Sequence, residues 1–225
     1  MASLDLSRND SVSLKTSVVK RLVQNLTEIR ELYLDDVDMS SVLLSSLMNL
    51  SSSLTSLTLK SCILRRRLPD HIFCLPKLLE LSLTDSLELT CFFSMVNCCK
   101  PLRSLDVSHT ICSGESLKKI GKLIFLRHLI LSGCNFNRSI LALLGNLTSY
   151  KTHCIGLPMN FAGALPMWIG NLTKVTKLLL WNNSFIGQIP SLLSNVKDLT
   201  FVNLRYNNLE GTIPDFFTNL NFLVL

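Results

Sequence analysis

A repeat of about 24 residues is the feature that most constrains how this chain folds. Its pattern is leucine, any residue, leucine, and then, three positions further on, asparagine or a small residue. The first positions of the pattern are Leu32, Leu57, Leu81, Leu105, Leu129, His153, Leu178 and Val202, and a partial unit begins at each end of the chain. A chain with such a period folds by stacking equivalent units against one another.

Each unit predicts one short strand. Alternation places both leucines on the same face of the strand, and one unit cannot bury that face alone. Stacked units bury it jointly, as a parallel sheet that runs along a solenoid. The asparagine position turns inward, where its side chain can satisfy backbone groups, and Cys62 and Cys134 occupy it in two units. We therefore predict one solenoid over residues 1–225, about eight repeats with partial units and no caps, in which both cysteines are core residues.

The sixth unit departs from the pattern. With His153 and Ile155 in its two strand positions, Pro158 falls at the asparagine position. Proline has no backbone N–H to donate. We expect the strand to be short or absent in this unit, and regular pairing to resume in the seventh.

The second half of the later units carries glycine and proline at fixed places. The segment 183–190 reads NSFIGQIP and the segment 207–214 reads NNLEGTIP, while Pro166, Pro190 and Pro214 recur at the interval of the repeat. This pattern resembles the plant-specific class of leucine-rich repeat. The resemblance implies a right-handed α/β solenoid, with a second short strand and a 3₁₀ segment after each main strand, on an irregular convex side.

Three segments of the first half are similar to the ectodomains of plant receptor-like proteins of the disease-resistance kind. They are residues 22–35, 68–76 and 102–110. The resemblance implies an extracellular recognition module in defence signalling, with a protein or peptide ligand and a co-receptor kinase that binds through regions missing from this chain. A full-length parent would lie at the outer face of the plasma membrane. This chain has neither a signal peptide nor an apolar run long enough for a membrane helix, so we expect an internal or truncated piece.

Two other functions stay open. A secreted inhibitor of microbial wall-degrading enzymes would share this repeat type, and a truncated fragment could lack function. Such inhibitors are usually compact and evenly repeated, so the irregular repeats and the receptor-like segments favour the receptor.

The sequence contains no pattern typical of an enzyme. No two of its four histidines stand four positions apart, and no nucleophile-elbow, P-loop or dinucleotide-binding motif occurs. Cys91, Cys98 and Cys99 fit no tetrahedral zinc spacing. The net charge is +6, but its one basic run is residues 65–67, without the stacking aromatics of a nucleic-acid site. We expect no catalysis, no cofactor, no metal and no nucleic-acid partner.

Binding through the concave face is the remaining function. The residues beside the buried leucines face outward, and the tryptophan, tyrosine and arginine among them are typical of binding hot spots. The register between repeats predicts that Arg205 stacks on the indole of Trp181. The candidate ligand-binding residues are Tyr33, Asp35, Arg103, Asp106, His109, Arg127, His128, Lys177, Trp181, Phe201, Arg205 and Tyr206.

Seven N-glycosylation sequons favour a secreted protein over a cytosolic one. Part of this number reflects the Asn-Leu-Thr of the repeat itself. The candidate glycosylation sites are Asn9, Asn25, Asn49, Asn137, Asn146, Asn171 and Asn182.

Overall fold

Ten parallel strands form a single sheet along the chain. The structure is a computed structural model that describes residues 2–91, 101–112, 123, 125–134, 154–156, 161–219 and 222–224. Consecutive strands of this sheet are hydrogen-bonded neighbours in chain order, as stacked repeats require. The strands are β1 (Ala2–Asp5), β2 (Ile29–Tyr33), β3 (Ser56–Thr58), β5 (Glu80–Ser82), β7 (Ser104–Asp106), β9 (His128–Ile130), β10 (Cys154–Gly156), β12 (Lys177–Leu179), β14 (Phe201–Asn203) and β16 (Phe222–Val224).

The pattern leucines form the core under this sheet. The register aligns Leu32 with Leu57 and Leu57 with Leu81, so equivalent residues stack from one repeat to the next. In all seven units from Leu32 to Val202 whose burial is described, both pattern positions are buried. The predicted parallel sheet and its buried leucines are confirmed.

The prediction for the sixth unit is wrong. Its strand β10 is as long as most of its neighbours, and Ile155 aligns with both Leu129 and Leu178. Ile155 is therefore the first pattern position rather than the second, and His153 lies outside the described residues. The connection before this strand is longer than in a regular unit and the connection after it is shorter. The irregularity lies in these connections, because pairing with two flanking strands fixes the register of the strand itself.

Side chains at the asparagine position tie neighbouring repeats together. The amide of Asn183 donates to the Leu180 carbonyl at 2.9 Å, and its oxygen accepts from the Phe161 N–H at 2.8 Å. Asn207 donates to the Leu180 carbonyl at 2.9 Å and to the Leu204 carbonyl at 2.8 Å, which occupy the same position in two adjacent repeats. These bonds satisfy carbonyls that the turn out of each strand leaves unpaired.

Thiols take over this role where cysteine replaces asparagine. The Cys62 thiol donates to the Leu34 carbonyl and the Cys134 thiol to the Val107 carbonyl, each at 3.0 Å. Both cysteines are buried and free, which confirms their predicted place in the core. Burial raises the pKa of Cys62 to about 12, so its thiol stays protonated and unreactive.

Short helices and two smaller sheets form the return path of the repeats. The first unit uses an α-helix, α1 (Thr16–Asn25), and later described units use 3₁₀ segments, four of them directly after Pro69, Pro166, Pro190 and Pro214. Within the described residues the 3₁₀ segments are Leu44–Asn49, Asp70–Cys74, Met167–Asn171, Ser191–Asn195 and Asp215–Asn219. The smaller sheets are β4 (Arg65–Arg67), β6 (Glu88–Cys91) and β8 (Ile111–Cys112), and β11 (Ala162–Ala164), β13 (Ser184–Gly187) and β15 (Asn208–Leu209).

A disulfide joins two repeats on this return path. It links Cys91 at the end of β6 to Cys112 in β8, which are directly paired. Such bonds persist in oxidising compartments. None of the helices in the described part of the chain is both long and apolar enough to cross a membrane.

We predict that Asn183 stabilises the stack strongly. Asn183→Ala would leave the Phe161 N–H and the Leu180 carbonyl with fewer partners in the interior, so the free energy of unfolding should fall by about 2 to 3 kcal/mol in chemical denaturation. Asn195→Ala makes the same change on an exposed residue of a 3₁₀ segment and should cost less than about 0.5 kcal/mol. Equal losses in the two variants would contradict a structural role for the amide.

We also predict a pH-dependent contribution from His71. Burial lowers the pKa of its imidazole below the ordinary value of 6.5, and the Met48 carbonyl opposes this shift in part. As the pH falls, His71 is therefore protonated in the unfolded chain before it is protonated in the folded chain. The free energy of unfolding should fall as the pH drops below about 6.5. His71→Gln should remove part of the fall in melting temperature measured between about pH 7.5 and pH 5. The unchanged chain, measured alongside, should keep the full fall, and matching profiles for the two proteins would exclude His71 as a source.

Candidate functional site

Three outward positions on each strand build the concave face. They precede the first pattern leucine, separate the two leucines, and follow the second, because successive side chains alternate between the two faces of a strand. We call these positions the outward rows. Strand pairing aligns them between repeats, so that Lys177 lies beside Phe201 and Leu179 beside Asn203. Neighbouring strands are about 4.8 Å apart, so residues of one row are in reach of each other.

Aromatic and basic side chains concentrate on β12 and β14. We define the aromatic–basic patch by the six residues that fill the outward rows of these strands. Trp181 keeps 39% of its surface exposed although it follows a buried leucine. The residues of the patch are Lys177, Leu179, Trp181, Phe201, Asn203 and Arg205. A large amphipathic ring beside cations, on a rigid sheet, is an arrangement suited to anchoring a ligand.

The predicted stacking of Arg205 on Trp181 is wrong, because Arg205 stacks on Tyr206 instead. Register does place Arg205 one strand across from Trp181. The guanidinium, however, lies over the ring of Tyr206, 5.1 Å from its centroid, and donates to the Tyr206 hydroxyl at 3.3 Å. Tyr206 has a positive φ of 56°, which turns its exposed ring back beside its neighbour. The indole of Trp181 is thus left available rather than covered by Arg205.

Four other predicted residues occupy the outward rows outside this patch. Tyr33 and Asp35 belong to the β2 repeat, Asp106 lies on β7 and His128 on β9. Six strand steps separate β2 from β12, which is about 29 Å. Asp35 already accepts from the Lys60 N–H at 3.0 Å, with the Lys60 ammonium 3.8 Å away. The fold therefore distributes the predicted residues over two regions instead of gathering them into one site.

Arg103 and Arg127 lie at the leading edge of the sheet. Each occupies the residue before the strand, where alternation turns the side chain away from the outward rows, and both are exposed. The Arg127 N–H donates to the Arg103 carbonyl at 2.7 Å, so the two residues are aligned in adjacent repeats. They can contact a ligand that extends over this edge.

His109 lies on the opposite edge, in the turn after its strand. This turn residue has a left-handed conformation in each unit where it is described, and in His109 φ is 54°. The equivalent residue of the next repeat is Gly133, against which the imidazole packs so closely that a Cβ on Gly133 would lie 2.2 Å from Nδ1. The imidazole of His109 therefore packs on Gly133, where any side chain would collide with it.

The sequons fall into three structural settings. Asn25, Asn49 and Asn171 each end a helical segment and are exposed. Asn182 is exposed in the turn directly after Trp181, whereas the amide of Asn9 donates to the Leu6 carbonyl at 2.8 Å, as the asparagine position does elsewhere. Asn137 and Asn146 lie outside the described residues. Glycosylation at all seven stays a prediction.

Sequence reasoning missed part of the acidic surface on the outward rows. Glu31 and Glu80 precede the first pattern leucine of their units, and Asp5 separates Leu4 from Leu6. The signal was present in the repeat pattern, since the position before the first leucine is outward in each unit.

Within the described part of the chain, no group of three or more histidine, cysteine or acidic side chains could hold a metal ion. Desolvation also raises the pKa of the buried Cys134 thiol, which is unsuited to act as a nucleophile.

Comparison with known proteins supports the repeat type. The Leucine Rich Repeat family model matches residues 125–147, 174–196 and 198–220. Receptor-like protein 41 of Arabidopsis thaliana is 34% identical over 162 residues, which are 70% of this chain and 18% of that protein. The chain thus spans under a fifth of the curated relative that it matches.

Solved structures show the same architecture. The ectodomain of the Arabidopsis receptor kinase HAESA, with an N-terminally extended IDA peptide hormone, gives a TM-score of 0.73 at 25% identity and covers 99% of this chain and 37% of that one. HAESA in complex with IDA and the co-receptor SERK1 gives a TM-score of 0.60 at 26% identity, covering 76% of this chain and 34% of that one. The predicted class of solenoid is confirmed.

We predict that Gly133 is required by the imidazole above it. Gly133→Ala should displace the His109 ring from its rotamer. It should therefore lower the free energy of unfolding by about 1 kcal/mol more than the backbone strain of the substitution alone would. Gly187→Ala is the matched control, because φ is also positive there and nothing lies within 4 Å of the added methyl. The difference, measured by chemical denaturation, should vanish in a His109→Ala background. A difference that persists there would mean that His109 is not its cause.

Proposed function

We propose that this chain, a leucine-rich-repeat protein of the plant receptor-like kind, recognises an extended peptide on its concave face. The full-length receptor would present these repeats outside the cell, at the plasma membrane. Its role would be defence signalling, to which the receptor-like segments of the sequence point.

The aromatic–basic patch is the observation that carries this proposal. It combines an exposed tryptophan, a half-buried phenylalanine and two cations on adjacent strands of a rigid sheet. Hot spots are enriched in such residues because they bury a large area at low entropic cost. The strands run side by side, so a peptide laid across them meets one repeat after another.

The relatives favour the same kind of ligand. One HAESA structure, at 25% identity, contains a peptide hormone. A second, at 26% identity, contains the peptide hormone and a co-receptor. By analogy we propose that a co-receptor kinase joins the complex of this receptor, through regions outside the present chain. Conversion of ligand binding into a signal would then depend on that second protein.

Disulfide bonding and the sequons support an extracellular location. The Cys91–Cys112 bond fits an oxidising compartment, and three sequons repeat at the exposed end of a helical segment. These sites lie away from the outward rows, so glycans on them would leave the patch accessible. Asn182 is different, since a glycan there would stand beside Trp181.

We predict that the patch determines the response of the receptor. Trp181→Ala combined with Arg205→Ala should raise the peptide concentration for half-maximal response at least about tenfold, because two hot-spot side chains are lost. The full-length receptor is expressed in leaf cells, challenged with secreted peptides from infected tissue, and scored by its reactive-oxygen burst at equal surface abundance.

A matched variant removes an apolar and a basic side chain elsewhere. Met167→Ala with Arg66→Ala changes two exposed residues of the helical and lateral segments and should leave the response unchanged. An unchanged response in the Trp181→Ala, Arg205→Ala receptor would assign the patch to ordinary solvated surface. Peptide binding lost without any change in the burst would retain the binding proposal and overturn the role in defence.

A further inference from the structure

We propose that the concave face is electrically polarised along the solenoid and selects a peptide that is basic at one end and carries apolar and acidic residues at the other. The basic end would lie over β1 to β7 and the other end over β12 and β14. This inference rests on the proposed function and specifies the chemistry of its ligand.

The first five strands of the sheet present an acidic surface. Their outward rows hold five carboxylates and one ammonium, a formal charge of −4. Lys60 is the one cation among these outward residues, and it lies 3.8 Å from the Asp35 carboxylate. The acidic residues are Asp5, Glu31, Asp35, Glu80 and Asp106.

Local hydrogen bonds hold two of these carboxylates in place. Ser7 donates hydrogen bonds that lower the pKa of Asp5, with a smaller contribution from Arg8. The Asp106 carboxylate accepts from the Ser108 N–H at 3.0 Å and from its hydroxyl at 2.6 Å. Glu31 is half-buried and Glu80 is exposed, so both carboxylates can meet a ligand.

The other end of the face has the opposite sign. The described outward residues of β9, β12 and β14 include Lys177 and Arg205 and no carboxylate, for a formal charge of +2. Leu179, Trp181 and Phe201 supply apolar surface between these cations. A basic peptide segment would be repelled here, whereas an acidic segment with one aromatic or aliphatic residue fits both features.

Distance makes the two ends act separately. Neighbouring strands are about 4.8 Å apart, so carboxylates one or two strands apart are separated by distances comparable to the Debye length of about 8 Å at physiological salt and act on the same part of a ligand. From Glu31 on β2 to Lys177 on β12 there are six strand steps, or about 29 Å, well beyond that length. At about 3.3 Å per residue, about nine extended residues cover this distance. A peptide of about twelve residues can engage both ends at once.

The arginines at the leading edge do not cancel this pattern. Arg30, Arg103 and Arg127 are exposed, but each occupies the residue before the first outward row, where alternation turns its side chain away from the face. Two of them border the acidic end and one borders β9, so counting them still leaves formal charges of −2 and +3 at the two ends.

Two synthetic peptides of equal composition test the inference. One carries four lysines, four glycine and serine residues, and then two phenylalanines and two glutamates; the other interleaves the same residues. Each is labelled with fluorescein and titrated with the full chain by fluorescence anisotropy. We expect the segregated peptide to bind at least about tenfold more tightly at about 50 mM salt, and this advantage to shrink at about 300 mM as screening increases.

Charge reversal provides the second arm. Glu31→Lys with Glu80→Lys brings the formal charge of the first five strands from −4 to zero and should abolish the preference for the segregated peptide. Glu210→Lys with Asp10→Lys changes net charge equally on exposed residues outside the outward rows and should keep the original preference. A circular dichroism spectrum that matches that of the unchanged chain shows that the variant is folded.

The outcomes separate this inference from the proposed function. Equal affinity for the two peptides, with both lost in Trp181→Ala, Arg205→Ala, would overturn the charge pattern and leave recognition by the concave face in place. No measurable binding of either peptide would also overturn the charge pattern. Binding of both that survives Trp181→Ala, Arg205→Ala would count against the proposed function itself.

Discussion

Hydrogen bonding between repeats, at the turn out of each strand, is the interaction on which the rest of the structure depends. A strand of three residues makes few ladder bonds, so it is stable only when both neighbours hold it. Asn183 and Asn207 share the Leu180 carbonyl as acceptor, which couples two units through one backbone group. Where asparagine is absent, Cys62 and Cys134 donate to the equivalent carbonyls. Val37 and Ser86 occupy the same position without such a bond, and there the backbone bonds between neighbouring strands hold the sheet.

The same turns place residues of the candidate site. The residue before the asparagine position has a positive φ in each described unit, and such a conformation costs a residue with a Cβ about 1 kcal/mol or more. In Tyr206 it directs the ring to Arg205, and at Gly133 the missing Cβ leaves the space that His109 fills. Backbone strain held by the sheet therefore decides which aromatic and basic groups meet. The unstrained strand positions beside them, including Trp181, keep their side chains free for a partner.

A stacked architecture separates stability from recognition. Inward positions are fixed by burial and by the bonds between repeats, whereas outward positions vary without disturbing the core. That freedom allows one face to carry carboxylates over its first strands and an aromatic–basic patch over later ones. A row of side chains spread over about 29 Å presents an extended surface rather than groups that converge on one reacting atom.

The sequence by itself determined the period, the strands, the buried leucines and the outward positions. Alternation along a strand is a local property, and it recurs in each repeat. The sequence also placed Cys62 and Cys134 in the core correctly. Only the tertiary structure decided the register of the sixth unit, where Ile155 rather than His153 aligns with its neighbours, since pairing is made with residues one whole repeat away. The Cys91–Cys112 bond and the contact of Arg205 with Tyr206 depend likewise on how adjacent repeats and strained turns bring side chains together. These contacts between units have no local signature, which is why the outward positions were predictable and their partners were not.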